Sequence, residues 1–132
     1  AGYTCMLDIT ARDYQQRSGH CLAKSFDTFA PMGPAIVTSD EIPDPGALDL
    51  RTVVSGETMQ RSNTRELIFP VPALIEFLSA CATLEPGDVI TTGTPAGVGV
   101  ARRPPRFLRR GDTVRVEIDG IGALENPVVG AR

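Results

Sequence analysis

Thirteen glycines and eleven prolines are spread through 132 residues, and they limit the length of every element this chain can form. Proline removes a backbone donor and breaks both helices and sheet ladders, while glycine favours turns. Their density predicts short strands joined by many turns rather than a helical bundle. Aromatic residues make up only 5% and tryptophan is missing, so the core has to be built from Val, Ile, Leu and Ala. Hydrophobic residues at 42% and charged residues at 22% are those of an ordinary soluble globular protein, and the length suits one domain.

Charge and cysteine content narrow the function classes. The net charge is −3, with an isoelectric point near 5.1. No general basic surface favours nucleic acid, although Arg102, Arg103, Arg106, Arg109 and Arg110 cluster locally. No apolar run approaches the roughly 20 residues needed to span a bilayer, and no signal peptide opens the chain. Cys5, Cys21 and Cys81 are odd in number and lack metal-ligand spacing, which reads as buried thiols of a cytoplasmic protein. The chain opens on Ala1-Gly2-Tyr3 without Met, consistent with initiator removal or with a piece of a longer protein.

The pattern predicts a strand over 3–7 leading to Asp8. A brief helix follows, with Thr10 and Asp13 as a capping box and an end near Ser18-Gly19. Pro31, Gly33 and Pro34 break the next stretch, and a strand is expected over 35–38. Glu41 to Gly46 is a loop. Residues 50–54 read as a strand entering a Ser55-Gly56 hairpin turn, with Met59 on the returning arm. Leu74, Ile75, Leu78, Cys81 and Ala82 recur at helical spacing, predicting a helix over 72–82. Strands are further expected over 89–91 and 113–118, the latter turning at Asp119-Gly120 onto 121–124. The expected class is mostly β with short helices (α+β).

Three places can carry chemistry. Asp8 sits where a strand hands over to a helix; it suits a hard divalent cation, or equally a cap or an ion pair with Arg12. Lys24, in Lys24-Ser25-Phe26-Asp27-Thr28, suits an anionic substrate or a developing enolate, or is simply solvated. Thr28 offers a hydroxyl to the same place. The segment Thr91 to Gly99 combines glycine amides with threonine hydroxyls, but it lacks the Gly-Lys-Ser/Thr ending of a phosphate loop and also reads as a plain turn. His20, the single histidine, lies between glycine-flanked residues without zinc-like neighbours and reads as a surface side chain.

The order of these blocks is more specific than any one of them. Leu7-Asp8-Ile9-Thr10-Ala11-Arg12-Asp13, Ala23 to Thr28, Gly33-Pro34, Ile42 to Pro45, Asn63-Thr64, Ile68-Phe69, Leu84 to Asp88, Gly93 to Gly99, Ile121-Gly122 and Asn126-Pro127-Val128 follow in sequence. Together they closely resemble the catalytic domain of the fumarylacetoacetate hydrolase family, over essentially residues 1–132. The resemblance implies a rolled mixed β-sheet and a Mg²⁺- or Mn²⁺-dependent enzyme. The implied reaction is hydrolysis of a C–C bond in an acylpyruvate or related 2-oxo acid. Isomerisation or decarboxylation of a hydroxymuconate-like or oxaloacetate-like dicarboxylate is the alternative, and a non-catalytic subunit of the same fold is a third reading. By motif position Asp8 matches a metal ligand, Lys24 and Thr28 match residues beside the metal, and Gln15 and Thr94 match positions that contact substrate. Relatives draw two further ligands from an upstream Glu-x-Glu pair and carry a lid with a His–Glu pair. Glu-x-Glu occurs nowhere in this sequence, and His20 does not match the lid histidine. The resemblance therefore implies the C-terminal portion of a catalytic domain, working as a homo-oligomer or with a partner chain that supplies the missing ligands.

Overall fold

The computed structural model describes residues 2–130. Six strands and two helices follow the order β1 (Gly2–Met6), α1 (Arg12–Lys24), β2 (Met32–Thr38), β3 (Asp49–Val54), β4 (Glu57–Asn63), α2 (Val71–Cys81), β5 (Thr113–Ile118) and β6 (Gly122–Pro127). β1 and β2 pair as a two-stranded sheet, and the other four form a sheet in the order β4-β3-β5-β6. The class is thus mostly β with short helices, as expected. Every ladder among the described residues is antiparallel, so the parallel pairings that a mixed sheet would add are not among them.

Side chains alternate between the faces of a strand, and the register of β3 on β5 uses this to sort the sheet into two surfaces. Leu50, Thr52 and Val54 lie opposite Ile118, Val116 and Val114, and all six face inward. Cys5, Leu7, Ile42, Met59 and Ile121 close over this row to form the buried core. The outer face carries ions instead. Glu117 accepts from Arg51 and, at 2.6 Å, from Arg115, whose guanidinium also reaches Glu125.

Several local expectations are corrected. β2 begins at Met32 rather than 35, because Gly33 and Pro34 are accommodated at a strand edge opposite the end of β1. Residues 89–91 form no strand; a strand exists only through a partner, and no ladder among the described residues reaches them. The capping box does not form. Ala11 occupies the N-cap without a side-chain bond, and the Thr10 hydroxyl donates to the Asp8 carbonyl instead. Of the three thiols only Cys5 is buried, while Cys21 and Cys81 are exposed. α2 is apolar yet buries none of its residues; Ile68, Phe69 and Phe77 near it are 88%, 62% and 68% exposed.

The ion ladder yields a test. Arg51 and then Arg115 hold the Glu117 carboxyl down to about 2, from its ordinary 4.5. A carboxylate favoured only in the folded state stabilises above its ordinary value, and that contribution is lost as pH falls toward the folded value. The expected outcome is a thermal midpoint that drops between about pH 4.5 and 2, with a shallower drop in Glu117→Gln. The difference should shrink at high salt, because the groups are solvent-facing. Thermal melts across that pH range at two ionic strengths check it.

Candidate functional site

The site is built by a reversal in α1. Gly19 adopts φ +79°, a backbone state other residues rarely take. A straight 13-residue helix would be about 20 Å long, yet the Ala11 amide donates to the Ala23 carbonyl at 2.9 Å. The kink therefore folds α1 into two short arms, and the second arm returns to its starting point. The first arm ends at Gly19, where the sequence places the helix end. The second arm was not anticipated, and it puts exposed His20 on a helix rather than in a loop.

This return brings Lys24 onto Asp8. The Lys24 ammonium donates to both Asp8 carboxylate oxygens and to the Thr10 hydroxyl at 3.3 Å. Asp8 thus pairs with Lys24 and not with Arg12, whose guanidinium donates to the Gln15 side-chain carbonyl at 2.8 Å. Asp8 is held at its position by the strand-to-helix connection, where buried Leu7 donates its amide to the Pro31 carbonyl at 3.1 Å. Buried Ala23 anchors the other end of the pair.

Asp8, Thr28 and Thr94 share the wall of one broad concavity of about 2180 Å³, together with Arg12. Lys24 and Gln15 stand outside that lining, Lys24 being joined to it through its ion pair with Asp8. The volume is larger than the roughly 300–1,000 Å³ of an ordinary ligand pocket, so these walls describe an open face rather than a closed site. Thr28 adopts φ +70° and Ala30 φ +56°. A β-branched residue in that region is strained, and such strain gathers at functional turns. Tyr14, Phe26 and Phe29 stack around this turn, with ring centroids 4.8 and 5.4 Å apart.

The Thr91 to Gly99 segment owes its glycines to close packing. A Cβ on Gly97 would lie 2.2 Å from the Met59 carbonyl oxygen, and one on Gly99 only 1.9 Å from that of Arg106. Gln60 donates to the Pro95 carbonyl at 2.9 Å and fixes the segment against β4. Two residues gained roles that their sequence context did not signal. Thr10 contacts Lys24 instead of capping the helix, and Asn126 presents a buried side-chain amide nitrogen with no partner at the concavity wall. Asn126 lies opposite Val114 on the inward face of β6, so the strand alternation that was read for 113–118 would have located it.

The donor set decides how far a divalent cation fits. Mg²⁺ asks for about six oxygen donors in near-octahedral array. Among the described residues no group of three or more His, Cys, Asp or Glu side chains could hold a metal, and the Asp8 carboxylate already faces an ammonium. These residues alone do not make a complete metal site.

The chain matches the model of the fumarylacetoacetate (FAA) hydrolase C-terminal domain over residues 1–129. It is 53% identical to the mitochondrial oxaloacetate tautomerase of Xenopus laevis, across 97% of this chain and 41% of the relative. Among solved structures it is similar to a 2-hydroxyhepta-2,4-diene-1,7-dioate isomerase from Mycobacterium marinum, with 50% identity, a TM-score of 0.86, and 97% of this chain on 47% of that one. It is also similar to maleylpyruvate hydrolase from Sphingobium sp. SYK-6 in complex with manganese (II) ion and pyruvate. There the identity is 41% and the TM-score 0.84, with 97% of this chain on 44% of the other. The chain spans less than half the length of each of these relatives. None of the described helices is long and apolar enough to cross a membrane. The Xenopus relative is named mitochondrial, so the cytoplasmic expectation rests on composition alone.

A metal titration tests the incompleteness of the donor set. Mn²⁺ added to these 132 residues alone should show no stoichiometric site, and Asp8→Asn should change little. One-to-one binding that disappears in Asp8→Asn would mean that the full set assembles from this chain, for example between copies. Calorimetry or the paramagnetic relaxation of water distinguishes the two.

Proposed function

Because the chain belongs to the fumarylacetoacetate hydrolase family, we propose that it carries one part of the active site of an enzyme that acts on a small 2-oxo acid through its enolate. The single observation behind this reading is the Asp8–Lys24 pair at the edge of the concavity. Mg²⁺ or Mn²⁺ is the cofactor in this reading, with Asp8 as one oxygen donor and the Thr28 hydroxyl beside it. The other donors come from polypeptide outside these residues. A partner surface is consistent with the bare apolar side chains of Ile68, Phe69 and Phe77.

The chemistry assigned to this chain's own residues is electrostatic. When a 2-oxo acid loses a proton from C3, or breaks the C–C bond at that carbon, the electron pair delocalises onto the C2 oxygen. An ammonium within hydrogen-bond reach of that oxygen favours the charged state over the neutral ketone. Lys24 is assigned this role, with the Thr10 hydroxyl as its remaining partner once it leaves Asp8. Thr94 and Gln15 are assigned to the substrate's remaining oxygens, Gln15 being oriented by Arg12.

Bond cleavage and proton shift share this enolate. The relatives include a tautomerase, an isomerase and a hydrolase. Two reactions are therefore carried forward: acylpyruvate hydrolysis, and tautomerisation or isomerisation of an oxaloacetate-like or hydroxymuconate-like dicarboxylate.

In the assembled, Mn²⁺-loaded protein, Lys24→Ala is expected to lower turnover by about 10²–10³. The fold should be unaffected, since an exposed ion pair adds little to stability. Rates of enol–keto conversion of oxaloacetate and of acylpyruvate cleavage, read beside a thermal melt, check both statements. Near-normal turnover would remove Lys24 from this role, and turnover of one substrate alone would decide between the two reactions.

A further inference from the structure

Outside the Asp8–Lys24 region, the connection between η2 (Gly99–Ala101) and β5 encloses a second, smaller cleft. Its volume is about 450 Å³, and it is lined by Glu57, Arg102, Arg103, Pro104, Pro105, Arg106 and Arg109. Four arginines against one glutamate is an unusual local balance for a chain whose net charge is −3. Two of these guanidiniums already have partners. Arg102 is paired with Glu57 at 2.5 Å and also donates to the Thr58 and Met59 carbonyls, at 3.3 and 3.2 Å, which ties the connection to β4. Arg106 is paired with Asp112 at 2.8 Å. The side chains of Arg103 and Arg109 have no hydrogen-bond or ion-pair partner among the described residues.

The frame that carries them is built in advance. The Arg106 amide donates to the Gly99 carbonyl at 2.9 Å and closes the connection into a loop, at an approach that admits no side chain on Gly99. Asp112 accepts from the Ser55 hydroxyl at 2.7 Å and from the Arg109 amide at 2.8 Å, which sets the base of Arg109. Pro104 and Pro105 restrict the backbone between them. The backbone that carries the four arginines is therefore fixed, and the exposed guanidiniums of Arg103 and Arg109 keep their donor forks free among the described residues.

From this geometry we propose that the cleft is a binding site for a small polyanion with at least two oxyanion groups, engaged by the guanidinium forks of Arg103 and Arg109. Guanidinium matches both phosphate and carboxylate oxygens in bidentate fashion, so a pyrophosphate-like and a polycarboxylate ligand share this chemistry. The site is separate from the 2-oxo acid site. None of Asp8, Lys24, Thr28 and Thr94 lines it, and only Arg106 borders both cavities.

Calorimetric titration of the protein at low ionic strength, with inorganic pyrophosphate and with tricarballylate as probes, tests this. Saturable one-to-one binding is expected, weakened by at least about tenfold in Arg103→Gln/Arg109→Gln. The Arg103→Lys/Arg109→Lys variant should fall between, because it keeps the charge and loses the fork. Tighter binding of pyrophosphate identifies a phosphate ligand, and tighter binding of tricarballylate identifies a polycarboxylate. Amide chemical shifts of the unmodified protein give a readout that needs no variant, and the probe should move resonances of residues 99–112. No saturation by either probe at about 1 mM, equal affinity in the glutamine variant, or shifts centred on residues 8–28 would each overturn the site. The result of Lys24→Ala on turnover bears on the 2-oxo acid reading alone.

Discussion

The pairing of β3 with β5 is the constraint from which the other features take their position. It places Leu50, Thr52 and Val54 against Ile118, Val116 and Val114, and a slip of one residue would turn that row to solvent and the ion ladder inward. The same register brings Glu117 opposite Arg51 and aims Asn126 of β6 inward opposite Val114. It also fixes the β5 end of the arginine-rich connection. Ser55, just past the end of β3, and Asp112, just ahead of β5, are joined by a hydroxyl-to-carboxylate bond at 2.7 Å.

The Asp8–Lys24 region depends on a different device. Sixteen residues separate the two side chains in sequence, and their meeting rests on the reversal at Gly19 and the amide bond from Ala11 to Ala23. In the state described, Lys24 neutralises Asp8. In the proposed reading the carboxylate takes a cation and the ammonium takes an anion, so the contact of Lys24 with both Asp8 oxygens has to give way. The pair is solvent-facing, and an exposed ion pair is worth only about 0–1 kcal/mol, so a modest interaction energy suffices to part it. The Thr10 hydroxyl, 3.3 Å from the Lys24 nitrogen, leaves the ammonium with a partner once Asp8 is engaged elsewhere.

The sequence made the periodic elements legible. Alternation located β3, β5 and their turns, and helical spacing located α2 to within one residue at each end. Expectation and structure part where tertiary contact overrides local pattern. Val89-Ile90-Thr91 has β-forming side chains but no ladder among the described residues, and Thr10 satisfies a capping pattern yet bonds elsewhere. The chemistry-bearing residues Asp8, Lys24, Thr28 and Thr94 were found by type and motif, and three of the four share one wall. That Asp8 would choose Lys24 over Arg12 was not legible, because nothing in the local sequence announces that a helix folds back on itself. Gly19 was read as a stop when it is a reversal. Likewise the glycines near Thr94 suggested an anion-binding loop, whereas Gly97 and Gly99 are needed to let backbone approach backbone.

In the proposed reading Asp8 and Lys24 separate to take the two charges of a metal-bound 2-oxo acid. A crystal structure of the assembled protein with Mn²⁺ and pyruvate tests it most directly. The expected result is the Asp8 carboxylate on the cation, and the Lys24 nitrogen about 3 Å from the pyruvate 2-oxo oxygen, with α1 still closed by its Ala11–Ala23 bond. An intact Asp8–Lys24 ion pair, with Mn²⁺ and pyruvate bound through other residues, would contradict it.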